Sequence, residues 1–178
     1  SFIFGEHFIP DNNFQFNQTQ IFFKWPQINK SVSYIIHFNN DEFFFESDIN
    51  SAIIEGFNWG QNYSWEVCGI DQYGEIIRCY DQNYFTINNL HENYPSDVNV
   101  LEIDENQYQD GITLLDYESL NFSAAIDKFG SPVWFSNNDN FSLDRILATQ
   151  FLENGNIVGF APGIGYEFNL NSDILFET

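Results

Sequence analysis

The sequence predicts an all-β protein in which a β-sandwich is followed by an antiparallel β-meander. No segment has a 3.6-residue apolar stripe with capping residues, so helix should be minor. Short runs rich in Ile, Val, Phe and Trp alternate with polar turns of Asp, Asn and Gly along the chain. One hairpin pattern recurs, in which Gly or Asn occupies a turn position that needs positive φ. Its four copies cover residues 69–77, 125–134, 151–158 and 167–175.

These features divide the chain into three parts. Residues 1–89 have the short strands of a β-sandwich, and residues 90–111 form a polar linker with one short strand at 98–103. Residues 112–178 hold hairpin repeats of the kind found in propeller blades or a related meander. The repeats are too few to close a propeller, so we expect this part to be incomplete and the natural chain to continue past Thr178.

The first part has its clearest strands at residues 21–25, 32–38 and 63–68. In the last of these, Tyr63, Trp65 and Val67 alternate with polar residues and should share one buried face. The chain contains 21 Phe, 9 Tyr and 4 Trp, so aromatic side chains must dominate the core.

The two cysteines lie on either side of the first hairpin. Cys68 and Cys79 are symmetric about the Tyr73-Gly74 turn, which places them opposite each other on two antiparallel strands. We therefore predict a disulfide and an oxidising compartment, with two free core thiols as the alternative. A zinc site is disfavoured because two further ligands at suitable spacing are missing.

The charge excludes several partners. The chain has 26 acidic and 5 basic residues, a net charge of −21. Binding of nucleic acid or of an anionic membrane surface would need clustered Lys and Arg. No apolar run approaches the roughly 18 residues of a membrane span, and no signal-peptide pattern opens the chain. The sequence has no Met, so we expect Ser1 to be a processed or artificial end.

The runs 22–26, 33–36 and 57–67 together resemble a fibronectin type III domain, over about 85 residues. In that family a core Trp and a tyrosine corner occur at such spacings. The resemblance implies that Trp25 is the core Trp, that Tyr63 is the corner Tyr, and that Cys68 and Cys79 join strands F and G.

Residues 94–178 resemble the arylsulfotransferase family near its first propeller blade. The likeness rests on Asp110-Gly111-Ile112-Thr113-Leu114-Leu115, followed in order by the hairpins at 125–134, 151–158 and 166–175. An immunoglobulin-like or fibronectin-like domain ahead of the propeller is a known arrangement in such proteins. The resemblance implies a six-bladed propeller that transfers sulfate between phenols through a sulfated histidine.

The catalytic residues of that family come from later blades, and none has a counterpart here. His7, His37 and His91 precede the repeats, and the cations within residues 112–178 are Lys128 and Arg145. Because sulfuryl transfer needs a nucleophile and cationic groups for an anionic donor, we assign this chain no catalytic residue and no cofactor. We expect the chain by itself to be non-catalytic.

Other motifs have structural explanations that we weigh more heavily. Oxygen-rich stretches at 137–140 and 104–110 could hold Ca²⁺, but neither has EF-hand spacing, and solvated loops are the favoured interpretation, so no metal is assigned. Trp59 and Trp134 could stack on sugars, although Trp134 is better explained as a core residue.

Five N-x-S/T motifs could be glycosylated, at Asn17, Asn29, Asn62, Asn121 and Asn140. We do not expect a sugar on Asn62, because it directly precedes Tyr63.

Three functions remain. The leading hypothesis is a secreted or cell-surface protein similar to the non-catalytic N-terminal part of an arylsulfotransferase, with the periplasm as a further location. The second is an extracellular assembly protein that self-associates, or binds another surface protein, through open sheet edges. The third is a glycan-binding module.

Overall fold

The computed structural model describes residues 7–40, 42–92, 94, 98, 100, 101, 104, 111–117 and 121–178. The chain is all-β, as predicted, and the described helical structure is limited to two single 3-10 turns, Asn138–Asn140 and Ser142–Asp144. Two compact units are formed, Ser1–Asn88 and Asn89–Thr178. Within the described ranges, no helix has the length and hydropathy that a membrane crossing requires.

The strands are named in chain order. They are β1 (Phe14–Phe16), β2 (Ile21–Lys24), β3 (Ser33–Phe38), β4 (Phe43–Ser47), β5 (Ser51–Ile54), β6 (Asn62–Ile70), β7 (Ile76–Cys79), β8 (Asn83–Ile87), β9 (Thr113–Tyr117), β10 (Phe122–Ile126), β11 (Pro132–Phe135), β12 (Leu147–Phe151), β13 (Ile157–Ala161), β14 (Ile164–Phe168) and β15 (Ile174–Glu177).

The first unit is a β-sandwich of two sheets, which confirms the architecture predicted for this part of the chain. The larger sheet has the order β1-β8-β6-β3-β4, and β7 also pairs with β6; the smaller sheet pairs β2 with β5. β1 is parallel to β8, and the other pairs in the unit are antiparallel. A bridge between Ile9 and Lys24 adds the segment before β1 to the smaller sheet.

Aromatic rings fill the space between these sheets. Phe23 on β2 meets Trp65 on β6 and Phe38 on β3 edge to face, with ring centroids 4.9 and 5.5 Å apart. Such pairs contribute about 0.5–1.5 kcal/mol each beyond the area they bury. Tyr63, Trp65 and Val67 are all buried, as the alternation of β6 predicts. The polar residues between them therefore lie on the solvent face of the same strand.

The disulfide prediction is confirmed. Cys68 on β6 is the direct cross-strand partner of Cys79 on β7, and the two are bonded. The alternative of two free thiols is therefore wrong. Cys68 is buried whereas Cys79 is exposed, so the bond joins the core strand to the outer part of the hairpin.

The second unit consists of two antiparallel meanders, also as predicted. Their orders are β11-β10-β9 and β12-β13-β14-β15, so every strand pairs with its neighbour in sequence. The sheets share one core, in which Ala125 and Trp134 from the first meander pack with Ile157 and Phe168 from the second. The packing of one sheet face on another fixes the relative position of the two meanders.

Buried hydrogen bonds around Ser123 also join the two meanders. The Oγ of Ser123 on β10 accepts a hydrogen bond from the N–H of Ala148 on β12 at 2.7 Å, and it donates to the carboxylate of Asp116 on β9. The backbone N–H of Ser123 donates to Ser136 Oγ at 3.0 Å. A buried N–H without an acceptor is costly, so the bond from Ala148 N–H to the Ser123 hydroxyl helps to fix the position of β12 relative to β10.

The recurring hairpins share one turn geometry. Where the turn starts at Asp71, Asp127 or Asn169, the side-chain Oδ1 accepts hydrogen bonds from the backbone N–H groups two and four residues later, at 2.8–3.0 Å. Three turns have glycine at the positive-φ position, namely Gly74, Gly130 and Gly155. In the fourth the prediction of Gly or Asn is wrong, because Ser172 has φ 68° there. Its Oγ accepts a 2.8 Å hydrogen bond from Asn137 N–H, which glycine could not do.

The strand predicted at 98–103 is not found at its described residues. Val98, Val100 and Leu101 lie outside any strand, and the remaining three positions fall outside the described residues. Val98 instead lies against the turn at Gly130, where a Cβ would approach the Val98 carbonyl oxygen to 3.1 Å. The segment therefore packs on a hairpin turn without joining a ladder.

Candidate functional site

The first candidate site is an open cleft of about 710 Å³ on the solvent face of the larger sheet of the sandwich. β-Strand alternation produces it: Asn62 and Ser64 on β6 and Tyr84 and Thr86 on β8 point outward because the residues next to them in each strand point into the core. The lining residues are Asn13, Gln15, Asn39, Asn40, Glu42, Asn62, Tyr63, Ser64, Tyr84, Phe85 and Thr86. We call this set the amide cleft.

The sheet register arranges the amide cleft in cross-strand rows. Asn62 on β6 pairs with Thr86 on β8, which in turn pairs with Gln15 on β1. Ser64 pairs with Tyr84 in the next row, two residues along the same strands. Cross-strand neighbours on one face lie close enough for their side chains to interact. The cleft floor is thus a ladder of neutral polar groups on regular strands.

A hydrogen-bond network holds the side chains at one end of the cleft. Gln82 Nε2 donates to Asn40 Oδ1 at 3.2 Å and to Ser64 Oγ at 3.1 Å, and Tyr84 OH donates to Gln82 Oε1 at 2.9 Å. Asn39 Oδ1 accepts from Ser64 N–H at 3.1 Å. These contacts join the β3–β4 turn to β6 and β8, so the network fixes the cleft wall to the sheet.

A second, smaller depression of about 450 Å³ adjoins the amide cleft. Asn39, Glu42, Asn62 and Tyr63 line both, so the two form one continuous surface. Tyr63 OH accepts a 2.7 Å hydrogen bond from the backbone N–H of Asn58, which is exposed and lines the smaller depression. This hydrogen bond ties β6 to the loop that precedes it, at the end of the cleft where Tyr63 lies.

The second candidate site is the outer face of the four-stranded sheet β12–β15. Val158 and Glu167 are cross-strand partners, as are Glu167 and Phe176, so the three side chains share one face. Phe160 lies on that face too, two residues after Val158 on β13. Phe160 is 48% exposed and Phe176 is 60% exposed, whereas Ile157, Tyr166 and Phe168 on the opposite face of the same sheet are buried. Apolar side chains therefore remain uncovered on this face.

The structural residues predicted from the sequence are all buried. Trp25 and Trp65 are fully buried in the sandwich core, Tyr63 lies at its edge, and Trp134 is buried in the second unit. Trp134 Nε1 donates to the Leu170 carbonyl oxygen at 2.7 Å. The proposal of Trp134 as a sugar platform is therefore wrong, because its ring is enclosed by the core.

Trp59 is also less open than its loop position suggests. It is half-buried and packs against the core of the sandwich. The structure offers a better-placed exposed ring in Tyr84, which no sequence motif singles out. The alternation of β8 carried the signal: the outward positions Tyr84 and Thr86 alternate with the buried Phe85 and Ile87.

The structure separates the N-glycosylation motifs by exposure. Asn17 is buried, and its Oδ1 accepts a 2.8 Å hydrogen bond from Asn88 Nδ2, so its amide is not accessible for modification. Asn29 and Asn121 are exposed. Asn140 is exposed as a residue, but its Nδ2 donates to the Ser172 carbonyl oxygen at 3.0 Å. The prediction of Asn17 as a glycosylation site is therefore wrong, because its side chain is buried and hydrogen-bonded.

The candidate Ca²⁺ stretch at 137–140 has a structural role. Asn137 Oδ1 accepts from Asp139 N–H, and Asn138 Nδ2 donates to the Asn121 carbonyl oxygen. Of the second stretch only Asp104 is described. Across the described ranges, no group of three or more His, Cys, Asp or Glu side chains could hold a metal ion.

The histidines are not assembled into a site. His7 is exposed and lies 3.1 Å from the carboxylate of Asp11, and His37 is on the solvent face of β3. His91 stacks on Phe122 with ring centroids 4.4 Å apart. Compared with known proteins, the chain matches no family model and no curated protein.

Proposed function

We propose that this chain is a non-catalytic module of an extracellular or cell-surface protein, similar to the N-terminal part of an arylsulfotransferase. In this proposal the sandwich is a fibronectin type III-like spacer, and the two meanders of the second unit are the first blades of a β-propeller. Sulfuryl transfer would occur on blades that lie outside this sequence. The resemblance of residues 94–178 to the start of that propeller motivates the proposal.

The observation that carries the proposal is the outer face of β12–β15. A propeller blade is a four-stranded antiparallel meander packed between two neighbouring blades. β12–β15 has that strand order and packs against the β9–β11 meander on one face only. Phe160 and Phe176 on the other face are the kind of side chains that a next blade would cover.

The charges of the second unit agree with a non-catalytic role. Lys128 is exposed and lies over the ring of Phe129, 5.4 Å from its centroid, and Arg145 is half-buried after the second 3-10 turn. An anionic sulfate donor would need several converging cations, which further blades would have to provide.

The Cys68–Cys79 disulfide supports an oxidising location. Disulfides form in secreted and periplasmic proteins and are rare in reducing compartments. The excess of 26 acidic over 5 basic residues suits a well-solvated extracellular surface. Both observations support our proposal that the protein acts outside the cytoplasm, secreted or at the cell surface.

Two measurements test the proposal: the coding sequence downstream of Thr178 is determined, and the sulfotransferase activity of the longer protein is assayed. We expect further hairpins with Asp or Asn at the first turn position and Gly three residues later. The longer protein should transfer sulfate from 4-nitrophenyl sulfate to a phenol, whereas residues 1–178 alone should not. A longer product that contains the hairpins but has no activity would remove the enzymatic part of the proposal. A reading frame without further hairpins would remove all of it.

Open sheet edges favour a second candidate function, assembly between copies. β4 and β15 are terminal strands of their sheets, and exposed apolar side chains occur on both, such as Phe44 at 64% and Leu175 at 53%. An unpaired strand edge can accept a strand from a neighbour. Light scattering at rising salt tests this: assembly predicts growing oligomers as the charge is screened, and a stable monomer contradicts it.

A further inference from the structure

We propose that the amide cleft of the sandwich is a binding site for a neutral glycan. The cleft belongs to the first unit, so failure of the propeller proposal for the second unit would leave it unaffected. The chemistry of its lining, its unused hydrogen-bonding groups and its rigidity each support this choice of ligand.

The described lining carries little charge on a strongly acidic chain. Of the eleven described residues that line the cleft, Glu42 is the single one with a carboxylate and none is Lys or Arg. The Glu42 carboxylate already accepts a 3.0 Å hydrogen bond from Asn39 Nδ2. A phosphate or sulfate group would find no cation there, and a metal ion would find too few carboxylates. A ligand rich in hydroxyl groups and without charge fits this lining best.

Several amide groups in the cleft are available to such a ligand. Asn62 Oδ1 accepts from Thr86 Oγ1 at 2.7 Å, which leaves the Nδ2 of Asn62 without a partner among the described residues. Asn40 Oδ1 accepts from Gln82 Nε2 at 3.2 Å, and Asn40 Nδ2 is likewise unpaired within the described part of the chain. Amides present both donors and acceptors, which is what a sugar hydroxyl needs because it is both.

The cleft also offers one exposed aromatic ring. Tyr84 is 47% exposed, and its OH is held by Gln82 Oε1 at 2.9 Å. A Tyr ring with a fixed polar end presents an apolar face beside hydrogen-bonding groups. The C–H face of a sugar can pack on such a ring while its hydroxyls reach the neighbouring amides.

The site is organised before a ligand arrives. Its floor is built on β1, β6 and β8, and the β3–β4 turn closes one side with Asn39 and Asn40 at φ 50° and 54°. Rigid strands and bonded side chains lower the entropy lost on binding. Asx residues tolerate the left-handed conformation, so the turn can keep both amides at the cleft wall.

Affinity gel electrophoresis of the full chain tests the site. The gels contain a neutral polysaccharide (laminarin, xyloglucan, galactomannan or dextran) or the acidic polysaccharide alginate. We expect retardation by at least one neutral polymer and none by alginate, because the chain carries a charge of −21. Tyr84→Ala should weaken binding about tenfold or more, equivalent to about 1.4 kcal/mol, and Tyr84→Phe should retain most of it.

Two controls keep the result specific. Tyr73→Ala removes a 79% exposed tyrosine from the β6–β7 turn, outside the cleft, and should not change binding. Asn62→Ala tests the amides and should also weaken binding. Because Asn62 is exposed, this variant keeps the test available if Tyr84→Ala does not fold. The proposal is overturned if no neutral polymer retards the protein. It is also overturned if folded Tyr84→Ala and Asn62→Ala bind as wild type, or if Trp59→Ala alone abolishes binding.

Discussion

The indole Nε1 of Trp134 donates a 2.7 Å hydrogen bond to the carbonyl oxygen of Leu170, so a strand of the first meander holds the last hairpin turn of the second. Two further hydrogen bonds reinforce this contact, from Asn137 N–H to Ser172 Oγ and from Asn140 Nδ2 to the Ser172 carbonyl oxygen. The turn at 169–173 is therefore part of the structure that keeps the two meanders together.

Replacing Trp134 should weaken the second unit through this hydrogen bond as well as through packing. Trp134→Phe keeps an aromatic ring but leaves the Leu170 oxygen without its donor, at an expected cost of about 1–2 kcal/mol beyond the lost packing. Trp25→Phe is a matched control, because Trp25 is fully buried and its Nε1 has no partner among the described residues. Urea unfolding followed by circular dichroism measures both. Equal losses of stability in the two variants would refute a role for the indole N–H.

Ser172 combines a strained backbone with a useful side chain. Its φ of 68° costs about 1–2 kcal/mol for a residue with a Cβ, while its hydroxyl accepts from Asn137 N–H. Ser172→Ala keeps the strain and loses the hydrogen bond, whereas Ser172→Gly loses both. We therefore expect Ser172→Ala to have the lower melting temperature of the two. The reverse order would mean that the strain at φ 68° is smaller than the chain entropy that glycine adds to the unfolded state.

Gly159 should be far less replaceable than Gly165, although they lie on adjacent strands. A Cβ on Gly159 would lie 2.7 Å from the Leu147 carbonyl oxygen, a backbone atom that cannot move aside. At Gly165 the nearest atom would be Thr178 Oγ1 at 3.4 Å. Gly159→Ala should cost about 1–3 kcal/mol by overpacking, and Gly165→Ala should be close to neutral. Thermal unfolding of both variants checks this, and a neutral Gly159→Ala would contradict the described strand packing.

Removing the disulfide should destabilise the sandwich without changing its fold. Cys68 and Cys79 are separated by 11 residues, and opening so short a loop should cost about 2–3 kcal/mol in the chain-entropy model. The double variant Cys68→Ala/Cys79→Ala should lower the urea midpoint in non-reducing buffer. Dithiothreitol should lower the midpoint of the wild type and leave that of the variant unchanged. A wild-type midpoint that does not respond to reduction would show that the bond contributes little.

Much of the fold could be predicted from the sequence because local signals agree with tertiary structure in this chain. The alternation of β6 fixed which side of that strand is buried, and the symmetric spacing of Cys68 and Cys79 fixed their pairing. The strand predicted at 98–103 failed at its described residues because short apolar runs do not reveal whether they pair or merely pack. Ser172 was missed because its compensating donor, Asn137, is 35 residues away in sequence.

The amide cleft could not be predicted from motif spacing. Its lining comes from β1, β6, β8 and the β3–β4 turn, and sheet register alone brings these segments together. The sequence pointed to Trp59 and Trp134 as stacking rings, but Trp59 packs partly against the core of the sandwich and Trp134 is buried in the core of the second unit. Polar residues at alternate positions of β6 and β8 were visible, but such residues ordinarily form a solvated face.

The intact mass of the natural mature protein tests the proposal of a propeller module most directly. If β12–β15 is one blade and Phe160 and Phe176 face a further blade, the natural polypeptide must be much heavier than the 20.8 kDa of these 178 residues. Mass spectrometry of the protein isolated from its source should give a value well above this. A mature mass near 20.8 kDa would contradict the proposal and favour self-association through the open sheet.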